Sequence, residues 1–333
     1  MSIFGKLKVK YLQSDCRKNL LQKMDKKTIL ECIRNAEENP SDVDRNILSG
    51  FSGAKIISLL KNFASTIVND RATYLEVGVY RGLTLLSVAA TVPESEVFGI
   101  DNFAFFDKYG INLSIIRERM TKLNIQNATI INNDFEDALE NLDRYTGDIK
   151  TGLYFIDGPH DYRSQLMSLL LIRPWLTESA VIIVDDSNYL HVRQANRDFL
   201  ITNPEFKLVF QSYTKVHPQN CSAKEREEAE SGWWNGINVI VRDPDNIFEP
   251  FLPPTMPDKT LFTNDHHIHT SMYPEAFRKY SRIVDLIASC RLRKPAMKLK
   301  GKYKSMNTYS DDLTYDHFNP SFFSNIVQVN DKN

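Results

Sequence analysis

Between Thr73 and Val241, short runs of β-branched and aromatic residues alternate with stretches whose apolar positions recur every three or four residues. That alternation is the pattern of a parallel sheet with crossover helices. It predicts strands over Thr73–Val77, Glu96–Ile100, Ala128–Asn132, Gly152–Ile156, Ala180–Val184, Phe206–Tyr213 and Ile237–Val241. A polar insert, Thr214–Asn235, separates the last two runs and lets the final strand return antiparallel beside its predecessor. Upstream, Ile29, Cys32 and Ile33 keep one helical spacing and Ile56, Ile57, Leu59, Leu60 and Phe63 another, with Asn39 and Pro40 between them. Downstream, Pro244, Pro250, Pro253, Pro254 and Pro257 interrupt regular pairing, and Pro274–Ser289 reads as a helix with Phe277, Tyr280, Ile283, Val284 and Ile287 on one side.

The expected fold class is therefore α/β: a doubly wound, mostly parallel, Rossmann-like sheet of seven strands, the last antiparallel. The expected division is a helical N-terminal extension or lid over 1–70, a ligand-binding sheet domain over 71–243, and a partly extended C-terminal appendage over 244–333. At 333 residues, with 42% hydrophobic and 25% charged, the chain is long enough for one large core with appendages. Its 41 Lys and Arg against 42 Asp and Glu leave a formal charge of -1, so no global field favours nucleic acid or an acidic membrane. Cys16, Cys32, Cys221 and Cys290 lie far apart and show no zinc spacing; with no apolar run long enough for a membrane span, they point to a cytoplasmic protein.

Candidate chemistry gathers where strands should end. The first strand runs into Glu76-Val77-Gly78-Val79-Tyr80-Arg81-Gly82, a strand, tight turn and helix, and in an open α/β sheet ligands bind at such carboxyl ends. The glycine spacing does not give the GxGxxG dinucleotide fingerprint, which argues against a pyrophosphate cradle. Asp101 closes the second strand, where a carboxylate accepts hydrogen bonds from ribose hydroxyls, and Asn133 and Asp134 follow the third, where they can meet an adenine edge. Each of these acids also suits a plain helix cap; their order and spacing favour a nucleoside ligand. The fourth strand ends in Asp157-Gly158-Pro159-His160 and the fifth in Asp185-Asp186-Ser187. Three converging carboxylates, Asp157, Asp185 and Asp186, repel unless a cation or protons intervene, and oxygen ligands suit Mg²⁺. His160 faces the same crevice as a general base, or serves as a hydrogen-bonding strut.

These residues resemble the class I S-adenosylmethionine-dependent methyltransferases, and within them the macrocin-type sugar and natural-product O-methyltransferases. The resemblance spans about Tyr74–Val241 and rests on Leu75–Gly82, Phe155–Tyr162 and Val184–Asp186. It implies S-adenosylmethionine as cofactor, with Glu76, Gly78, Tyr80, Arg81, Gly82, Asp101, Asn133 and Asp134 at its site. It further implies Mg²⁺ on Asp157, Asp185 and Asp186, His160 as general base, a small hydroxylated acceptor as partner, and a helical addition that covers the site and supports a homo-oligomer. Trp233-Trp234-Asn235-Gly236 offers an aromatic wall for the acceptor or ordinary edge packing, and Tyr189 is a further candidate acceptor contact. His266, His267 and His269 fit no common metal spacing, and the basic run Arg291–Lys304 reads as a solvated face. A nucleotide-dependent oxidoreductase and a non-catalytic assembly protein on the same fold are the competing readings.

Overall fold

A computed structural model describes residues 25–41, 43–214, 222–255 and, as backbone, 323–326. Among the described residues, eight strands form one sheet: β1 (Ala72–Val77), β2 (Val97–Ile100), β3 (Ala128–Ile131), β4 (Lys150–Ile156), β5 (Leu176–Val184), β6 (Phe206–Tyr213), β7 (Ile237–Arg242) and β8 (Phe323–Ile326), in the order β3-β2-β1-β4-β5-β7-β6-β8. Strands β1 to β5 pair in parallel, and β7 enters antiparallel between β5 and β6. All seven expected strands form within a few residues of their expected bounds. The eighth, antiparallel to β6, comes from the appendage, which was expected to be partly extended and for which no strand was placed. The expected helix Pro274–Ser289, the three histidines near 267 and the basic run 291–304 lie outside the described residues.

Helices α1 (Lys26–Glu38), α2 (Ala54–Ile67), α3 (Leu83–Thr91), α4 (Asn112–Lys122), α5 (Phe135–Glu140), α6 (Asp143–Thr146), α7 (Tyr162–Ile172), α8 (Leu190–Thr202) and α9 (Ala223–Ser231) surround the sheet. The central strands are buried on both faces, so their sequences are nearly continuous apolar runs. Their side chains alternate between two cores. Leu153, Phe155, Val181 and Ile183 join α1, α2 and α3, whereas Tyr154, Ile156, Ile182 and Val184 join α7 and α8. The expected N-terminal extension thus contributes Ile29, Ile33, Ile56, Leu59 and Phe63 to the same core as the sheet. Asp25 caps α1 by accepting the Thr28 N–H at 2.7 Å.

The strand order reverses between β1 and β4, which places a crevice at their carboxyl ends. Hydrogen bonds carry the ladder past the strands: Asp157 N–H donates to the Val77 carbonyl at 2.8 Å, and Asp185 N–H to Ile156 at 2.9 Å. Among the described residues no helix is long and apolar enough to cross a membrane.

Candidate active site

Gly78 opens the turn after β1 with φ +93°, and a Cβ there would lie 1.9 Å from the Asp157 carbonyl oxygen. Only glycine lets β1 and β4 approach this closely. Gly82, at φ +78°, forms the left-handed N-cap of α3. Between them, Asp101 Oδ2 accepts the N–H groups of Val79 at 3.0 Å and Tyr80 at 2.7 Å, while Oδ1 accepts Phe103 N–H at 2.7 Å. The acid expected to face a ribose therefore also shapes the turn. Glu76 lies beneath that turn, fully buried, accepting Tyr74 Oη–H at 2.5 Å and Thr84 Oγ1–H at 2.8 Å. Burial pushes its carboxyl up to about 8, against those two hydrogen bonds, which favour the ionised form. The Arg81 guanidinium covers the Tyr80 ring at 5.0 Å and donates to Asn112 at 3.0 Å. At the end of β3, Asp134 caps α5 through Glu136 N–H, and Asn133 accepts the Asp134 N–H, the local roles that their sequence context also allowed.

The second half of the site comes from the ends of β4 and β5. His160 Nε2 lies 2.7 Å from Asp186 Oδ2, and its ring stacks on Tyr189 at 5.2 Å. Nε2–H is thus the donor in the neutral tautomer, leaving Nδ1 basic. Burial lowers the His160 pKa, but the charge and hydrogen bond of Asp186 outweigh it, so the net shift is upward. Asp157, His160 and Asp186 each bring one ligand atom to within 4.8 Å of the others. Asp185 sits behind them, 2% exposed, with Oδ1 accepting Asp186 N–H at 2.8 Å and Oδ2 buried without a hydrogen-bond partner. Burial, and then the neighbouring acids, push Asp157 and Asp185 well above the usual carboxylate range. An orphaned carboxylate oxygen beside crowded acids fits a cation, and the donor set at hand is Asp157, Asp186 and the His160 imidazole, with Asp185 next to it.

Asn235 was not singled out from sequence, yet its Nδ2–H donates to Asp186 Oδ1 at 2.6 Å across 49 residues of chain. Its neighbours correct another expectation. Trp233 and Trp234, read as an acceptor wall or as ordinary edge packing, are 1% and 4% exposed, which fits packing rather than an open wall. Trp233 packs on Phe210 at 5.0 Å, and Trp234 lies beside Phe51. An extended strand would point the two indoles apart, but Trp234 adopts φ +50° and Gly236 φ +84°, so the segment is a turn and both rings go inward. Tyr189, also expected at the acceptor, is 3% exposed and backs the His160 ring.

Residues 75–187 match a family model described as a methyltransferase domain. No curated protein matches the chain significantly. Among solved structures, an O-methyltransferase from Streptomyces achromogenes involved in tomaymycin synthesis, in complex with SAM, is 13% identical, with the match covering 69% of this chain and 96% of that one at a TM-score of 0.44. An O-methyltransferase from Bacillus cereus in complex with SAH is 15% identical, covering 68% and 94% at 0.43. A Podospora anserina methyltransferase bound to SAH is 14% identical, covering 72% and 97% at 0.39.

Proposed function

We propose, from the match of residues 75–187 to a methyltransferase-domain model, that the chain is an S-adenosylmethionine-dependent O-methyltransferase acting on a small hydroxylated acceptor. The observation that carries this reading is the pairing, across the β1/β4 switch point, of a glycine turn ordered by Asp101 with a His160–Asp186 dyad.

In this reading Gly78, Tyr80, Arg81 and Gly82 line the cofactor, Asp101 holds its ribose, and Asn133 and Asp134 meet its adenine. Glu76 supports the turn from below. S-adenosylmethionine supplies an electrophilic sulfonium methyl when bound, and a divalent ion such as Mg²⁺ supplies positive charge that offsets the carboxylates and acidifies a hydroxyl. Asp157 and Asp186 would hold that ion, with Asp185 balancing its charge from behind. His160 takes the acceptor's hydroxyl proton at Nδ1, and Asp186 fixes the tautomer by accepting Nε2–H. Tyr189 keeps the imidazole plane in place. Held by Gly78, Tyr80, Arg81, Gly82 and Asp101, the cofactor would supply the methyl group to the acceptor oxygen and leave as a neutral thioether, while His160 keeps the acceptor's proton. Positioning and charge placement carry most of the acceleration.

A second role for His160 follows from its place among the clustered ligand atoms: imidazole on the ion itself. The two roles separate experimentally. If His160 is the base, His160→Ala lowers S-adenosylhomocysteine production with a panel of hydroxylated acceptors by about 10²–10⁴-fold, while Mn²⁺ and S-adenosylhomocysteine still bind. If it is a ligand, Mn²⁺ binding is lost as well. Full turnover by His160→Ala would contradict both.

A further inference from the structure

Among the described residues, seven that are not glycine have a positive φ, and five of them, Tyr80, Phe103, Phe106, Asp186 and Trp234, lie in loops on the carboxyl-end side of the parallel strands. Bulky side chains hold a left-handed backbone only where their surroundings impose it, and such positions gather at ligand sites. Three of the five carry rings that meet at Phe51. Phe51 stacks on Tyr80 with centroids 5.1 Å apart and planes 16° apart, lies 6.3 Å from Trp234, and meets Phe106 edge-on at 6.2 Å. Tyr80 and Phe106 are themselves edge-on at 6.3 Å.

The cluster is tied to the proposed chemistry on two sides. Tyr80 follows Gly78, which backs onto Asp157, and Trp234 precedes Asn235, which donates to Asp186. Its outer rings remain open, with Phe51 39% and Phe106 52% exposed. The Phe51 loop is also fixed. Arg119 donates to Ser49 O at 2.9 Å and Ser49 Oγ at 2.7 Å, Arg45 donates to Ser52 O at 3.0 Å, and a Cβ on Gly53 would sit 2.1 Å from the Gly232 carbonyl oxygen. This is a preformed aromatic surface rather than a loose flap.

Resting on the methyl-transfer reading, we propose that Phe51 and Phe106, with Tyr80 stacked behind Phe51 as support, form a subsite that receives a flat aromatic ring of the hydroxylated acceptor and so selects which acceptors are methylated. Phe51 and Phe106 bring no polar atom to replace the hydration of a sugar's hydroxyls. An aromatic ring instead gains offset-stacked and edge-on contacts from partners already arranged for it.

The test uses catechol and cis-1,2-cyclohexanediol, two diols of similar size that differ in the ring face, each titrated by ligand-observed NMR with S-adenosylhomocysteine and Mg²⁺ present. The wild type binds catechol about tenfold more tightly. Phe51→Leu and Phe106→Leu, which keep apolar bulk without a π face, bring the ratio down to about twofold, whereas Phe51→Tyr retains it and S-adenosylhomocysteine binding stays unchanged. A preference that survives both leucine variants arises from the diol oxygens and overturns the subsite, as does equal or absent binding of the two diols by a protein that binds S-adenosylhomocysteine. A large loss of S-adenosylhomocysteine affinity in either leucine variant assigns the rings to the cofactor and overturns it too. A wild type that does not bind S-adenosylhomocysteine removes the methyl-transfer reading and the subsite together.

Discussion

Asn235 and Glu76 act on the site without facing the reacting atoms. Asn235 holds Asp186 Oδ1, so the carboxylate presents Oδ2 to His160. Removing such an orienting group typically costs 10–100-fold in ion affinity. Asn235→Ala is therefore expected to weaken Mn²⁺ binding by roughly that factor while S-adenosylhomocysteine binding, followed by calorimetry, is unchanged. Glu76 makes a pH prediction. Its buried carboxyl titrates near 8 in the folded chain against 4.5 for the unperturbed group. Between those values the native state holds a proton that the unfolded state has lost, so this group makes stability fall as pH rises through that window. Glu76→Gln should flatten the decline in melting temperature across that range, and an unchanged slope would contradict the assignment. Sequence displayed Glu76, Asp157, His160, Asp185 and Asp186 because each lies at or just beyond the carboxyl end of a strand. It hid Asn235 because that contact crosses 49 residues and depends on a turn whose geometry no local pattern announces.

At the scale of elements, the N-terminal extension and the turn before β7 differ in how far local pattern reached. The spacing of Ile56, Leu59, Leu60 and Phe63 gave α2 directly, since one apolar face of a helix must find a core. Phe63 is fully buried in the core shared with the sheet. Phe63→Ala should destabilise the protein by about 3–5 kcal/mol in denaturant unfolding, within a single transition; a separate early transition for the N-terminal extension would contradict a shared core. The burial of both Trp233 and Trp234 was not legible because these residues form a turn, where the alternation of a strand does not hold. Arg119 was equally invisible. From α4 it donates to Ser49 and also to the Arg81 carbonyl at 2.6 Å, joining the loop of the N-terminal extension to the glycine turn after β1. Arg119→Met, keeping the aliphatic stem, should lower stability by about 1–3 kcal/mol through carbonyls left without donors, read as a shift in the urea midpoint.

For the whole molecule, the order of strands and the place of the crevice follow from one repeated instruction, a short apolar run followed by a helix, so most of the sheet was legible. The eighth strand was not, because Phe323–Ile326 pairs with β6 from a region whose composition gives no period, and nothing local says which edge it will meet. Sequence and fold together place a glycine turn, a carboxylate that orders it and an acid–histidine cluster at a single switch point. The central claim is that this switch point binds S-adenosylmethionine, and calorimetric titration of the purified full chain with S-adenosylhomocysteine tests it most directly, with Asp101→Ala alongside. The account predicts one site of micromolar affinity in the wild type and its loss in Asp101→Ala, whose thermal unfolding still shows a folded protein. Absence of binding to the folded wild type, or unchanged binding in Asp101→Ala, would contradict it.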